Sequence, residues 1–90
     1  MNSFATPDFW RLYERLPAEV QRRAQEAFRR FQADPFGGGL EFKRVSGSRD
    51  IWSARISDNY RVIGRRQATQ MAWYWIGSHA DYDVELKRLR

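Results

Sequence analysis

The sequence predicts an α+β domain: a helical hairpin packed on a small antiparallel sheet of about four strands, closed by a short C-terminal helix. Two observations carry this. Apolar residues recur at helical spacing as far as Asp34, and from Leu40 to Ser78 they alternate with period two between clusters of turn residues. Helical and strand patterns are segregated along the chain, which excludes a run of βαβ units. Ninety residues make a single domain spanning 1–90.

The first helix opens at Thr6-Pro7-Asp8, with Thr6 as cap and Pro7 at the first helical position. Phe9, Leu12, Tyr13 and Leu16 follow on one side. Pro17 interrupts the pattern and opens a second helix, whose stripe is Val20, Ala24, Ala27, Phe28 and Phe31. Gln21, Arg22, Gln25, Glu26, Arg29 and Arg30 cover its solvent side. Asp34-Pro35 ends it, because a residue before proline resists the α region.

Phe36-Gly37-Gly38-Gly39 is a flexible connection, since it lacks the Lys-Ser/Thr of a phosphate-binding loop and no strand precedes it. Strands are expected over Leu40 to Val45, Ile51 to Ser57, Tyr60 to Arg65 and Met71 to Ser78. Ser46 to Asp50 is a turn, and Asp58-Asn59 turns a hairpin. Tyr82, Leu86 and Leu89 then fall at helical spacing in a final segment from Asp81 to Arg90, with Asp81 as its cap.

Composition narrows the chemistry. The chain has no cysteine, which excludes disulfides, thiolate nucleophiles, Cys-based zinc sites and iron–sulfur clusters, and fits a reducing cytoplasm. No signal peptide is evident, and the longest apolar run, Met71 to Gly77, is far too short to span a membrane. The net charge is +5 and fourteen of the sixteen cations are arginine, whose planar fork can bridge two phosphate oxygens. Nucleic acid or an acidic protein is the partner such a surface suits. No cofactor is expected. One histidine beside Asp81 and Asp83 is a poor metal-ligand set, and neither a Ser/His/Asp triad nor a metalloprotease motif is present.

Strand alternation sorts the sheet into two faces. Leu40, Phe42, Trp52, Ala54, Ile56, Tyr60, Val62, Trp73 and Trp75 form the side expected to receive the helical hairpin. Lys43, Ser53, Arg55, Arg61, Arg65 and Tyr74 form the other, over an apolar floor of Val45, Ile63, Ala72 and Ile76. An open groove lined by guanidinium groups, with Tyr74 available for stacking, suits single-stranded nucleic acid. The only histidine, His79, follows the last strand at the edge of this face, and imidazole is the side chain that ordinarily changes charge near neutrality.

At this point the chain resembles the RelE/ParE superfamily of bacterial toxin–antitoxin toxins over nearly its whole length. The likeness rests on Leu16-Pro17-Ala18-Glu19-Val20 between the helices, Asp34-Pro35 before the glycines, and Leu40 to Gly47. It continues through Trp52 to Val62, and through Trp75-Ile76-Gly77-Ser78-His79-Ala80-Asp81-Tyr82. The Arg-Ile…Tyr-Arg-Val hairpin and the Gly-x-His ending are its specific parts. The resemblance implies the same fold and a cytoplasmic toxin neutralised by an acidic antitoxin encoded beside it. Members include ribosome-dependent mRNA endonucleases, which act without a metal, and poisons of DNA gyrase. For a nuclease it implies Arg61 in transition-state stabilisation, Arg55 holding phosphate and His79 as acid or base. Tyr82 would stack on a base or assist proton transfer, and Lys43 would contribute more weakly to the electrostatics; from the face described above, Lys43, Arg65 and Tyr74 are expected to contact nucleic acid. The likeness departs at Ser53 and Ala54, where the best-studied nucleases carry lysines. The competing expectations are a gyrase inhibitor and an inactive protein-binding relative.

Overall fold

In the computed structural model, which describes residues 1–89, a mixed sheet of five strands is covered on both faces by helices. The elements in chain order are β1 (Asn2–Ala5), α1 (Pro7–Tyr13), α2 (Ala18–Ala33), β2 (Lys43–Ser46), β3 (Ile51–Ser57), β4 (Tyr60–Gln67), β5 (Gln70–Ser78) and α3 (His79–Arg88). The sheet order is β1-β5-β4-β3-β2. The three long strands form the expected antiparallel meander. Strand β1 was not expected from the sequence: its four residues have little strand character of their own. It forms because it pairs in parallel with β5, from Asn2 opposite Gln70 to Ala5 opposite Trp73.

Thr6 caps α1, its Oγ1 accepting from the Phe9 amide at 3.3 Å, with Pro7 at the first position as the sequence predicts. Pro17 precedes α2, where Val20, Ala24, Ala27 and Phe31 are buried and Phe28 is half-buried. Gln21 Nε2 donates to the Tyr13 carbonyl at 2.9 Å and ties the two helices together. Their shared side packs on Leu40, Phe42, Ala54, Ile56, Val62 and Trp73. Phe31 sits edge-on to Phe42 at 5.0 Å and to Trp73 at 5.3 Å. Burying a ring such as Phe31 contributes about 1.5–3 kcal/mol.

Four expectations are corrected. The sheet has five strands, not about four, and is not wholly antiparallel. Strand β2 begins at Lys43, so Leu40 and Phe42 fill the core from an irregular segment. The last helix starts at His79, and its cap is Ser78, whose Oγ accepts from the Asp81 amide at 3.2 Å. The expected end of that helix at Arg90 lies outside the described residues.

The fourth correction concerns the faces. Ile63 pairs with Trp75, but the next residue, Gly64, pairs with Trp73, leaving Tyr74 as a bulge on β5. One extra residue reverses the alternation beyond it. Trp73 therefore enters the helical-hairpin core, whereas Trp75 packs on the opposite face; Ile76, expected on the opposite face, is buried beneath the hairpin. The second face is not an open groove either. Helix α3 lies across it, where Tyr82, Ile51 and Ile63 are buried with Trp75, Leu86 and Leu89 packed around them.

Candidate functional site

The two-residue turn Asp58–Asn59 brings β3 back as β4, and β4 pairs with the end of β5: Tyr60 opposite Ser78, Arg61 opposite Gly77. The His79 amide then donates to the Asn59 carbonyl at 2.7 Å. The start of α3 is thereby stitched to the hairpin turn. Arg61 and His79 are brought to one end of the sheet, His79 two residues beyond the backbone partner of Arg61.

The Arg61 guanidinium is held from several directions. Its Nη1 donates to the Ser57 carbonyl at 2.9 Å and to the Tyr60 carbonyl at 3.3 Å, and Nη2 stands 3.6 Å from Glu41 Oε2. The side chain is only 16% exposed. Glu41 reaches it because its neighbours Leu40 and Phe42 are both buried in the core, leaving the intervening side chain to project away; its φ of 47° is in the left-handed region. His79 is half-exposed, with Nδ1 3.4 Å from Asp83 Oδ2 one helical turn on. Its ring stands edge-on to Tyr82 at 5.8 Å. Between them Gly77 has no room for a side chain: a Cβ there would lie 2.7 Å from the Trp75 indole. The result is a fixed cation and a partly exposed imidazole beside an aromatic floor. A phosphate oxygen could take the remaining Arg61 donors, and the imidazole could exchange a proton.

The other expected site residues separate. Arg55 pairs with Arg61 across the strands, yet its guanidinium reaches the Gly39 carbonyl at 3.4 Å and the Asp58 carboxylate. It shares a cleft with Arg23, Glu26 and Arg30 of α2. The cause is the register shift between Arg55 and Ser57, a bulge that turns Arg55 toward the helical side with Ile56. Tyr82 is buried and donates its hydroxyl hydrogen to Ser53 Oγ at 2.9 Å, so its ring is committed to the second core. Lys43 and Arg65 are exposed; Arg65 lies opposite Ile51 and Ala72, roughly 13 Å along β4 from Arg61 at the usual strand rise. Tyr74 is half-buried near Arg65, and burial with the Glu85 carboxylate holds its phenol above the usual value, with Arg65 and Arg49 opposing. One continuous cationic groove is therefore replaced by separate clusters.

Ser53 and Ala54, where a lysine pair would stand in the nucleases the sequence resembles, are 2% and 4% exposed. Neither position opens to a substrate. Glu41, Gly77 and the pairing of Asp83 with His79 were not foreseen. The last had a signal in the sequence, since positions four apart on a helix meet. Among the described residues no group of three or more His, Asp or Glu side chains gathers in a way that would hold a metal ion, and no helix is long and apolar enough to cross a membrane.

A second concavity of about 220 Å³ lies away from this site, between β1 and the two N-terminal helices. Phe4, Ala5, Trp10, Phe28 and Trp73 line it. Phe4 and Trp10 are each nearly half-exposed, and Trp73 carries a buried indole N–H without a partner.

A family model, the ParE-like toxin domain, matches residues 18–84. No curated protein sequence gives a significant match. Among solved structures, the YoeB/ParE toxin from Agrobacterium tumefaciens superimposes with a TM-score of 0.69 at 22% identity, covering 88% of this chain and 99% of that one. The toxin–antitoxin complex RelB–RelE from Methanococcus jannaschii gives 0.72 at 14% identity, over 90% of this chain and 96% of the matched one. The RelBE2 complex from Mycobacterium tuberculosis gives 0.66 at 20% identity, with 87% and 96% covered. At these identities the likeness is one of fold.

Proposed function

The chain belongs to the ParE-like toxin family, and from that premise we propose that it is the toxin of a toxin–antitoxin pair that cleaves messenger RNA on the ribosome and so arrests translation. The observation that carries this reading is the convergence of Arg61 and His79 at one end of the sheet, through the Arg61–Gly77 pairing and the 2.7 Å bond from the His79 amide to Asn59. A restrained guanidinium at the same end of the sheet as a half-exposed imidazole supplies the charge and the proton carrier that such a cleavage needs.

In the proposed reaction His79 accepts the proton of an RNA 2′-hydroxyl, and O2′ bonds to the adjacent phosphorus. The P–O5′ bond breaks, the proton leaves on O5′, and the phosphate ends as a 2′,3′-cyclic diester. Arg61 offsets the extra charge on the phosphorane. Asp83 orients the imidazole through Nδ1, which leaves Nε2 for the transfer. Arg55, separated from this cluster, has at most a role in holding the substrate strand from the α2 side.

The partner proposed is an acidic antitoxin, encoded beside the toxin, meeting it in the cytoplasm where ribosomes are. The complexes from M. jannaschii and M. tuberculosis each join a toxin to an antitoxin, and a net charge of +5 suits an acidic mate. The apolar cleft beside β1 is the surface assigned to it. Its exposed Phe4 and Trp10 favour apolar side chains.

A second reading, inhibition of DNA gyrase without catalysis, draws on the ParE-like family match and on the burial of Ser53 and Ala54. Expression of the chain alone in a bacterium, with transcript ends mapped, separates the two. New ends clustered within translated codons support the nuclease. Intact transcripts with an induced DNA-damage response support the gyrase inhibitor instead.

A further inference from the structure

A group of side chains on the other face of the sheet, unused by the proposed reaction, gathers two guanidiniums around one indole. Trp52 on β3 lies opposite Arg44 on β2 and opposite Gly64 on β4. Arg44 places its guanidinium carbon 5.6 Å from the Trp52 ring centre, and Arg66 places its own at 5.3 Å. Arg66 stands two residues along β4 from Gly64, a position with no room for a side chain. A Cβ there would meet Met71 Cε at 2.8 Å and the Ala72 carbonyl at 2.9 Å.

Asp50 fixes the arrangement, its Oδ1 accepting from Trp52 Nε1 at 2.8 Å and standing 3.1 Å from Arg44 Nη2. That single carboxylate serves Arg44. Among the described residues Arg66 faces no carboxylate. The indole continues into an aromatic ladder: Phe42 stacks on Trp52 at 4.5 Å, and Phe36 leans on Phe42 at 5.3 Å. Phe36 is the outermost rung and is 65% exposed.

Like charges brought to one ring repel each other, and an anion bound between them would relieve that repulsion. An exposed ring beside paired guanidiniums matches a nucleotide, with phosphate on the cations and base on the aromatic face. An acidic peptide would use the charges but leave Phe36 without a purpose. We infer that the Arg44–Trp52–Arg66 cluster, with Phe36, is an anchoring site for single-stranded RNA, separate from the Arg61–His79 end. The inference rests on the RNA-directed reading above and extends it. Measured along β3 from Trp52 to Ser57, the two sites are roughly 17 Å apart. They are on opposite faces, so the strand crosses the β2 edge, where Lys43 is exposed on the way.

The test is the affinity of the full chain for a short, labelled 2′-O-methyl RNA, which lacks the attacking hydroxyl, measured across a salt series. Phe36→Ala is expected to weaken binding by about fivefold or more, the loss of one stacked base. Arg66→Ala should weaken it and reduce the slope of log affinity against log salt by about 0.7, one phosphate contact. Arg66→Lys should keep the slope while losing affinity, because charge is retained and the planar fork is not. Arg29→Ala, on the solvent side of α2, should leave the slope unchanged. Phe36→Ala and Arg66→Ala binding RNA as the parent does would overturn the site. So would displacement of RNA by polyglutamate with Phe36→Ala without effect, which would give the surface to an acidic protein. Transcript mapping keeps the two proposals distinct: weakened binding with intact transcripts sinks the nuclease and spares the anchor, and cleavage with unchanged binding does the reverse.

Discussion

The Tyr82 hydroxyl donates to Ser53 Oγ at 2.9 Å, inside a core that α3 builds on the second face of the sheet. This bond joins the last helix to a central strand and ties Tyr82 into the second core. Tyr82→Phe leaves Ser53, 2% exposed, without its partner, and should cost about 1–3 kcal/mol of stability in urea titration. Toxicity should fall only with the folded fraction. The double variant with Ser53→Ala should lose less than the two single changes added together. A toxicity loss far beyond the stability loss would return Tyr82 to the chemistry.

Arg61→Ala should lower transcript cleavage by on the order of 10²–10³, the usual effect of removing one preorganised charge-stabilising group. It also frees the Ser57 and Tyr60 carbonyls, so the hairpin should lose roughly 0.5–1.5 kcal/mol. Thermal unfolding followed alongside cleavage separates the two effects. Arg61→Lys should recover part of the electrostatics but not the bonds to both carbonyls.

His79→Ala should reduce cleavage by about 10²–10⁴ if the imidazole moves the proton. Asp83→Asn should give a smaller loss, because it disturbs only the orientation of the ring. Both side chains are about half-exposed, so stability should change by less than about 1 kcal/mol in either variant. Single-turnover cleavage of ribosome-bound message measures the first effect, and denaturant unfolding the second. His79→Ala remaining as toxic as the parent would remove the imidazole from the mechanism.

Gly64→Ala should destabilise the fold by about 1–3 kcal/mol, since the added methyl group meets the Trp73 ring at 2.7 Å and the Ala72 carbonyl at 2.9 Å. The carbonyl belongs to the neighbouring strand and cannot swing away as a side chain could. Gly47→Ala, where nothing lies within 4 Å, is the matched control and should leave the denaturant midpoint nearly unchanged.

Tyr74 gives a pH signature. Its phenol is held above the ordinary value of 10.0 by burial and by Glu85, so folding favours the neutral form. The resulting stability is fully present below the unfolded value and is lost as pH rises through the folded one. The unfolding free energy of the parent should therefore fall relative to that of Tyr74→Phe above about pH 10. A difference that stays constant across that range would show that the phenol contributes only by packing.

Much of the architecture was legible because its signals are local. Thr6-Pro7 and Pro17 mark helix starts, the Val20-to-Phe31 stripe has helical period, and Asp58-Asn59 turns a hairpin between alternating strands. Period-two reasoning then failed at two places for one physical reason. Alternation holds only while every residue advances the ladder by one step, and the bulges at Ile56 and Tyr74 each add a residue. The first turned Arg55 away from Arg61. The second exchanged Trp75 and Ile76 between faces. Nothing in the residue types at either point announces a bulge.

The sequence by itself determined the class of fold, the helical-hairpin core, and the presence of Arg61 and His79 near the ends of consecutive strands. All of these follow from periodicity, caps and turns within a dozen residues. Only the tertiary structure decided that β1 completes the sheet, that α3 closes the second face over Tyr82, and that Arg44 and Arg66 meet at Trp52. Those outcomes depend on contacts between segments far apart in the chain. Their free energy comes from pairing and burial that no single segment can supply alone.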